Sequence, residues 1–397
     1  MTDDSLDGLR RYYIDGHVHI GRSQAGQPVK ISAAPGLTLP GVLDTAVDVK
    51  GIDIVGVIDA AATPVLADLD ALLRCGELAE HPEGGFTYHD RVTLFAGAEV
   101  EFRGPNGGAA HFGVFAPDRR SLGELAAWLG IRQTNPGLSS QRVRDAAPTE
   151  LAELARDFGG LFMVNHAFTP HRGLYGSCAA HMAEMVAPEL VSALELGLSA
   201  DTEMADRVSE LADFTFVTNS DAHSLPKIAR EYHVAMLEAP TFAAYRRALA
   251  RSGAERVTAN VGLWPPLGKY HRAACAKCGA VWQTGAGNCA ACGGVRQTGG
   301  VSERLQSIAD RATTWSPAHR PPYIHHIPLE WIPGIGPVLR QRLLAAFGTE
   351  MAVMNAASED GLRAVAGARA ADLIVRARDG RLALASGAGG RYGKIVL

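Results

Sequence analysis

The chain has 397 residues, 47% hydrophobic and 20% charged, with a formal net charge of −4. That length accommodates two or three domains with a buried core. No apolar run approaches the roughly 18–20 residues of a membrane span, and the acidic start Met1-Thr2-Asp3-Asp4-Ser5 is unlike a signal peptide, so the expected location is cytoplasmic. The net charge hides an asymmetry: residues 1–260 carry 22 Lys+Arg against 34 Asp+Glu, whereas residues 261–397 carry 16 against 8. A basic C-terminal part on an acidic body suggests a surface for a polyanion, nucleic acid first of all.

From Tyr12 to about Val261, short apolar strands alternate with longer helical stretches such as 122–129 and 149–158, the pattern of an α/β domain. Thr149 reads as an N-cap of the second helix. Tyr12-Tyr13-Ile14 leads into Asp15-Gly16-His17-Val18-His19. Residues two apart in a strand point the same way, so His17 and His19 can aim two imidazoles at one point, with Asp15 joining or bracing them. The run 52–58 ends at Asp59, 92–98 at Glu99, 161–165 at His166, 191–194 at Glu195, and 214–220 at Asp221-Ala222-His223, while His111 opens 111–115. In a parallel barrel or sheet, the C-terminal strand ends converge on one rim, where ligands bind. Histidines and carboxylates gathered there are what a divalent metal site needs. The loop 168–177 adds Arg172, His171 and Tyr175 beside these residues, as a phosphate clamp, a stacking platform or a lid.

After Trp264-Pro265-Pro266-Leu267-Gly268 come Cys275-Ala-Lys-Cys278 and Cys289-Ala-Ala-Cys292, with ten residues between the pairs. Two Cys-x-x-Cys pairs at this distance predict a tetrahedral structural zinc, as in a zinc ribbon. A polar connector follows over about 296–322. Beyond it, Ile332-Pro333-Gly334-Ile335-Gly336-Pro337 has the form of a helix-hairpin-helix turn, followed by a helix over 338–347 with Arg340 and Arg342. Its glycines let backbone N–H groups approach a phosphate. A second copy sits 33 residues on, where Gly367 is kept and Arg369 replaces the second glycine. Gly334, Ile335, Gly336, Arg340, Gly367 and Arg369 are the candidate DNA-binding residues. No Gly-x₄-Gly-Lys-Ser/Thr loop exists, which disfavours an NTP-driven motor.

The set Asp15-Gly-His17-Val-His19, Asp59, Glu99, His111, His166 and Asp221-Ala-His223 resembles the polymerase-and-histidinol-phosphatase (PHP) domain. The stretches His19-Ile-Gly-Arg22, Leu138-Ser-Ser-Gln-Arg142, Glu195-Leu-Gly-Leu-Ser199, Thr218-Asn-Ser-Asp221 through Lys227, Arg230 and Tyr232, and the final Gly390-Arg391-Tyr392-Gly393-Lys394 resemble the endonuclease Q family nearly end to end. The resemblance implies an α/β fold, a PHP-type distorted barrel of seven βα units (1–262), then a small zinc-binding module held by the four cysteines (263–300), a linker (301–322) and an all-α tandem helix-hairpin-helix domain with a tail (323–397). It implies His17, His19, Glu99, His111, His166, Asp221 and His223 as ligands of two or three ions of zinc, manganese or magnesium, with Glu99 bridging two of them. It places catalysis on Glu99, Asp221 and His223. Many PHP proteins have a histidine just after the equivalent of Asp59; here Ala60-Ala61-Ala62 follow, so that either a third ion is absent or Asp59 substitutes as a ligand. Glu195 stands open as ligand or brace.

The implied activity is metal-dependent incision of DNA 5′ to uracil, hypoxanthine or an abasic site, with Arg22, Arg172, Lys227 and Arg230 as candidates to neutralise phosphate. The implied partner is damaged duplex or single-stranded DNA; a sliding clamp is not shown by the sequence. Two other readings remain: a small-molecule phosphoesterase like the histidinol phosphatases, and a catalytically impaired DNA-binding protein, motivated by Ala60-Ala61. The zinc module and the hairpins argue against the first, and the seven other candidate ligands against the second.

Overall fold

The computed structural model describes residues 8–283 and 285–396, and the acidic start, residues 1–5, lies outside the described residues. Strands β1 (Arg10–Val18), β2 (Ile54–Val57), β3 (Leu78–Glu80), β4 (Phe86–Tyr88), β5 (Val92–Arg103), β6 (Ala109–Ala116), β7 (Leu161–Val164), β8 (Ala193–Glu195), β9 (Phe216–Val217), β10 (Tyr232–Leu237) and β11 (Arg256–Leu263) form most of one sheet. β12 (Ala274–Cys275) and β13 (Gln297–Thr298) pair separately, and β14 (Tyr323–His326) returns to the main sheet. Its order is β14-β11-β10-β1-β2-β5-β6-β7-β8-β9, with the β3–β4 hairpin attached to β5. The sheet curls into a half-barrel.

The helices around it are α1 (Leu39–Thr45), α2 (Thr63–Cys75), α3 (Arg119–Gly130), α4 (Pro148–Asp157), α5 (Thr202–Ala205) and α6 (Phe242–Ala250). Strand alternation divides the two faces of the sheet. Ile14, Ile54, Phe95, Phe115, Met163, Ala193 and Val217 form the inner core, closed at the bottom by Phe242, Tyr245 and Leu249 of α6. Val55, Leu94, Val114, Phe162 and Leu194, on the outer face, belong to the larger core that Leu69, Leu122, Leu125 and Leu151 of α2, α3 and α4 complete. Buried on both faces, the central strands read as continuous apolar runs.

The sheet is mixed, where a parallel one was expected: β1–β10, β10–β11, β5–β6 and β6–β7 are antiparallel. The β5–β6 connection spans only residues 104–108, too short for the crossover that parallel neighbours require. β5 also runs four residues past Glu99, so this carboxylate sits within a strand and not at its end. Ala147, not Thr149, precedes α4 as its N-cap: Pro148 takes the first helical position and Glu150 Oε1 accepts the Ala147 N–H (2.7 Å).

Two further corrections concern the connector. Just over a third of the stretch expected as linker is a helix, α7 (Val301–Ile308), whose Val301 and Leu305 are buried in the barrel's larger core. Residues 323–326, expected to open the helical domain, are β14, paired in parallel with β11. The helical part is α8 (Pro337–Phe347), α9 (Glu350–Asn355), α10 (Glu359–Ala366) and α11 (Ala368–Arg378), packed around Leu343, Val353, Leu362 and Ile374. A hairpin, β15 (Ala383–Ala385) and β16 (Lys394–Val396), ends the described chain, and its connecting loop lies on residues 266–269 through Gly387 N to Pro266 O (2.6 Å) and Gly393 N to Leu267 O (2.9 Å). A buried Lys50–Glu350 ion pair (2.7 Å) ties the helical part to the barrel. No helix among the described residues is long and apolar enough to cross a membrane.

Candidate active site

The alternation that puts Phe95, Phe115, Met163, Ala193 and Val217 inside the barrel carries on toward the rim as Glu99, His111, Asn165, Glu195 and Asn219. The inner face is thus apolar below and ionisable above. His17 and His19 join it from the end of β1, where a shift of pairing between Asp15 and Val18 re-aims the strand. Gly56 permits this: a Cβ there would come within 2.5 Å of Gly16 O on β1. His166 (φ 29°) and Asp221 (φ 46°) follow β7 and β9 in the left-handed region, a strained conformation that concentrates at functional sites.

Glu99 is the centre. Its Oε1 lies 2.9 Å from His111 Nδ1, 3.3 Å from His166 Nε2 and 3.5 Å from His17 Nε2, and its Oε2 3.7 Å from His19 Nε2. Asp221 Oδ1 lies 3.3 Å from His19 Nε2 and 3.6 Å from His17 Nε2, and 3.5 Å from His223 Nδ1. Three triplets have ligand-type atoms close enough to share an ion: His17–His19–Glu99, Glu99–His111–His166, and His19–Asp221–His223. The donor set fits divalent metals on a further observation: both ring nitrogens of His111 and Nδ1 of His166 are buried without a hydrogen bond, although His111 faces Glu99. Buried imidazole nitrogens left without a hydrogen bond beside a carboxylate suit a cation.

Behind the triplets, the far nitrogen of each leading histidine is held by a carboxylate. Glu195 Oε2 meets His17 Nδ1 at 2.9 Å, and Asp59 Oδ2 meets His19 Nδ1 at 3.0 Å. Both Nε2 atoms are thereby turned toward the cluster, the arrangement that orients imidazole ligands on metals. Asp59 reaches the cluster only through His19 and is in none of the triplets. Asp15 turns away from the imidazoles: it accepts N–H bonds from Ser220 (3.0 Å) and Ala229 (2.8 Å), fixing the loop that carries Asp221 and His223.

The electrostatics follow. Burial would raise the Glu99 and Asp221 carboxyls, but His111 and Lys30 around the first, and His19, His17 and His223 around the second, hold both well below the usual range. Burial draws the His111 and His223 imidazoles down to about 4, which leaves them neutral and able to ligate.

The cluster floors a cleft of about 550 Å³ that also includes Lys30, His171, Arg172, Lys227, Arg230, Lys269, Tyr270 and Tyr392. Of the cations proposed from sequence, three line it, each with its own partner: Arg172 pairs with Glu101 (2.7 Å), Lys227 with Glu330 (2.5 Å), and Arg230 donates to Ser220 O (2.7 Å) and to the Tyr392 hydroxyl (2.7 Å). Arg22 is exposed, outside the cleft lining, and donates to Gly26 O. Sequence reasoning missed Lys30, Ser140, Asn219, Tyr270 and Tyr392. Asn219, which donates to Glu195 (3.0 Å) and accepts from Gly16 N (2.7 Å), was detectable by its strand parity with Asp221. The others sit on loops without periodic signal.

The four cysteines of the ribbon also converge. Cys275 and Cys292 sulfurs, and those of Cys278 and Cys289, lie 3.6 Å apart, and none is in a disulfide. Four thiolates ~2.3 Å from a zinc would be about 3.8 Å apart, so the residues fit the ion. In the helical part, Gly334 (φ +88°) and Gly367 (φ +79°) form the two turns, and neither α8 nor α11 has a side-chain cap. Gly336 and Arg369 are exposed there. Ile335, grouped with the DNA-binding residues by sequence, packs inward (6% exposed). Arg340 pairs with Glu350 (2.7 Å).

No family model matches the chain. It is 42% identical over 389 residues to the uncharacterized protein YqxK of Bacillus subtilis, covering 98% of this chain and 100% of that one. It is 33% identical over 254 residues to the uncharacterized protein MJ0043 of Methanocaldococcus jannaschii, covering 58% of this chain and 31% of the relative. Among solved structures, it matches the lesion-specific endonuclease PfuEndoQ of Pyrococcus furiosus with a TM-score of 0.83 and 27% identity, over 98% of this chain and 95% of that one. It matches an endonuclease Q complex with a 27-mer duplex, with an abasic lesion at the active site, equally well (TM-score 0.83, 27% identity, 98% and 96% coverage).

Proposed function

The chain belongs to the endonuclease Q family, and from that premise we propose that it is a metal-dependent DNA-repair endonuclease that hydrolyses the phosphodiester 5′ to uracil, hypoxanthine or an abasic site. The observation that carries the reading is the convergence of five imidazoles and two carboxylates on one cleft whose rim comes partly from the segments after the barrel. A small-molecule phosphatase has no need of that rim.

In this reading His17, His19, Glu99 and Asp221 would hold one ion, and Glu99, His111 and His166 would hold a second. Asp221 and His223 are the donors left for a third, since His19 Nδ1 is held by Asp59 and its Nε2 can serve only one ion. Divalent ions bound there supply the Lewis acidity for phosphodiester hydrolysis. Glu195 and Asp59 keep His17 and His19 turned toward those ions, and Asp15 holds the Asp221 loop in register. Tyr270, Tyr392 and His171 offer faces on which an extruded base can stack, and extrusion costs least for a damaged pair. The turns at Gly334 and Gly367 present N–H groups to the backbone of the duplex without reading its sequence. The ribbon's four cysteines, a closed set of thiolates, form a structural site.

Labelled duplexes containing one uracil, one hypoxanthine, one abasic site or none, incubated with Mn²⁺, Mg²⁺ or Zn²⁺ beside an aryl phosphate, test the proposal. Lesion-dependent nicks that disappear in Asp221→Asn are expected. Phosphate release without nicking would replace the nuclease by a phosphatase, and no turnover by a binding protein.

A further inference from the structure

Lys30 is a cleft cation that neither the motif nor the family resemblance singled out. Its side chain is only 14% exposed, and its ammonium donates to Glu99 Oε2 (3.1 Å) and Ser140 Oγ (2.5 Å) while Ser140 Oγ itself donates to Glu99 Oε2. The position is prebuilt. Lys30 N bonds Ile20 O (2.9 Å), Ala34 N bonds His223 O (2.8 Å), and Ser139 N bonds Val29 O (3.1 Å), so the loop bearing Lys30 is pinned to the end of β1, to the His223 segment and to the serine pair. Ser140 holds a left-handed conformation (φ 52°) in the same contact.

Resting on the proposed function, we infer that Lys30 is a catalytic residue that meets a nonbridging oxygen of the scissile phosphate from the wall of the metal cluster. Glu99, Asp221, Glu195 and Asp59 are the carboxylates in contact with the histidine pair. Two divalent ions offset their charge, and Lys30 then remains as a buried positive charge beside them. Such a charge is costly to hold near metal ions unless an anion enters. A phosphodiester supplies that anion, and a preorganised ammonium favours the transition state in which its charge concentrates on the nonbridging oxygens. The other cleft cations lack this placement. Arg172, Lys227 and Arg230 are committed to Glu101, Glu330 and the Ser220 carbonyl, and Lys269 lies over the Tyr270 and Tyr392 rings (5.2 and 5.7 Å), whereas the partner of Lys30 is itself in the ligand set.

Lys30→Met and Lys30→Arg in the full chain test this on a single-abasic duplex, with kcat, duplex affinity, melting temperature and bound metal measured together. Lys30→Met is expected to lower kcat on the order of 10²-fold with wild-type metal content, affinity and melting temperature, and Lys30→Arg to recover at least tenfold of that loss. Wild-type kcat in Lys30→Met overturns the inference. So does loss of bound metal in that variant, which would make Lys30 a support for Glu99 alone, or a Lys30→Arg no better than Lys30→Met. A wild-type chain that leaves every lesion duplex intact overturns the proposed function and this inference with it.

Discussion

The four cysteines of the ribbon come from within residues 275–292, and their sulfurs face one another, whereas the barrel gathers its histidines and carboxylates from residues 17–223 around an open cleft. The first arrangement offers an ion four thiolates and no free position; the second offers carboxylates, imidazoles and room for a substrate. Support differs too. The ribbon's sulfurs are backed by a small core around Trp282, while each leading histidine of the barrel is held from behind by its own carboxylate. One site is built to fold a segment, the other to keep donors aimed.

Breaking the open site should have the largest effect. Asp221→Asn is expected to lower nicking by on the order of 10³-fold or more, because it removes a carboxylate facing both His17 and His19, while the ribbon keeps its zinc. Initial rates and metal content per chain check both halves. Cys278→Ser should do the reverse, costing the chain its ribbon ion and the local folding it provides, while the barrel keeps its metals. Proteolysis within 272–299 should then accelerate, measured against the wild type.

Smaller effects separate aiming from binding. Glu195→Gln and Asp59→Asn should each weaken barrel metal affinity ~10–100-fold, read by chelator competition, without touching the ribbon. Unchanged affinity would mean the carboxylates behind the histidines do not orient them. The smallest effect is in stability. Glu231 is fully buried, one of its oxygens has no partner, and burial pushes its carboxyl from 4.5 up to about 8. The folded chain therefore binds the proton that the unfolded chain releases, and stability falls as pH rises from about 4.5 to 8. Glu231→Gln should remove that decline and raise the melting temperature at pH above 8 but not at pH near 4.

The two sites also differ in how far the sequence disclosed them. The ribbon was legible from spacing alone, because its ligands are local. In the barrel, period-two alternation indicated that His17 and His19 face one way and that polar residues end the strands. The mixed strand directions were hidden, since the 104–108 turn fixes β5 against β6 without altering either apolar run. Asp59 and Glu195 were visible as residues, but which ring nitrogen they face depends on tertiary placement. Lys30 and Ser140 meet across 110 residues of sequence, and no periodicity places them together. Ile335 shows the converse, for the turn motif was plain while the inward packing of its side chain came from the helices below.

The contrast between the sites is tested most directly by staged chelation of the full chain. Dialysis against a chelator should empty the barrel first, abolish nicking of a single-abasic duplex and leave one zinc per chain; added Mn²⁺ should then restore nicking. Full nicking by a chain reduced to that single ribbon zinc would contradict the account.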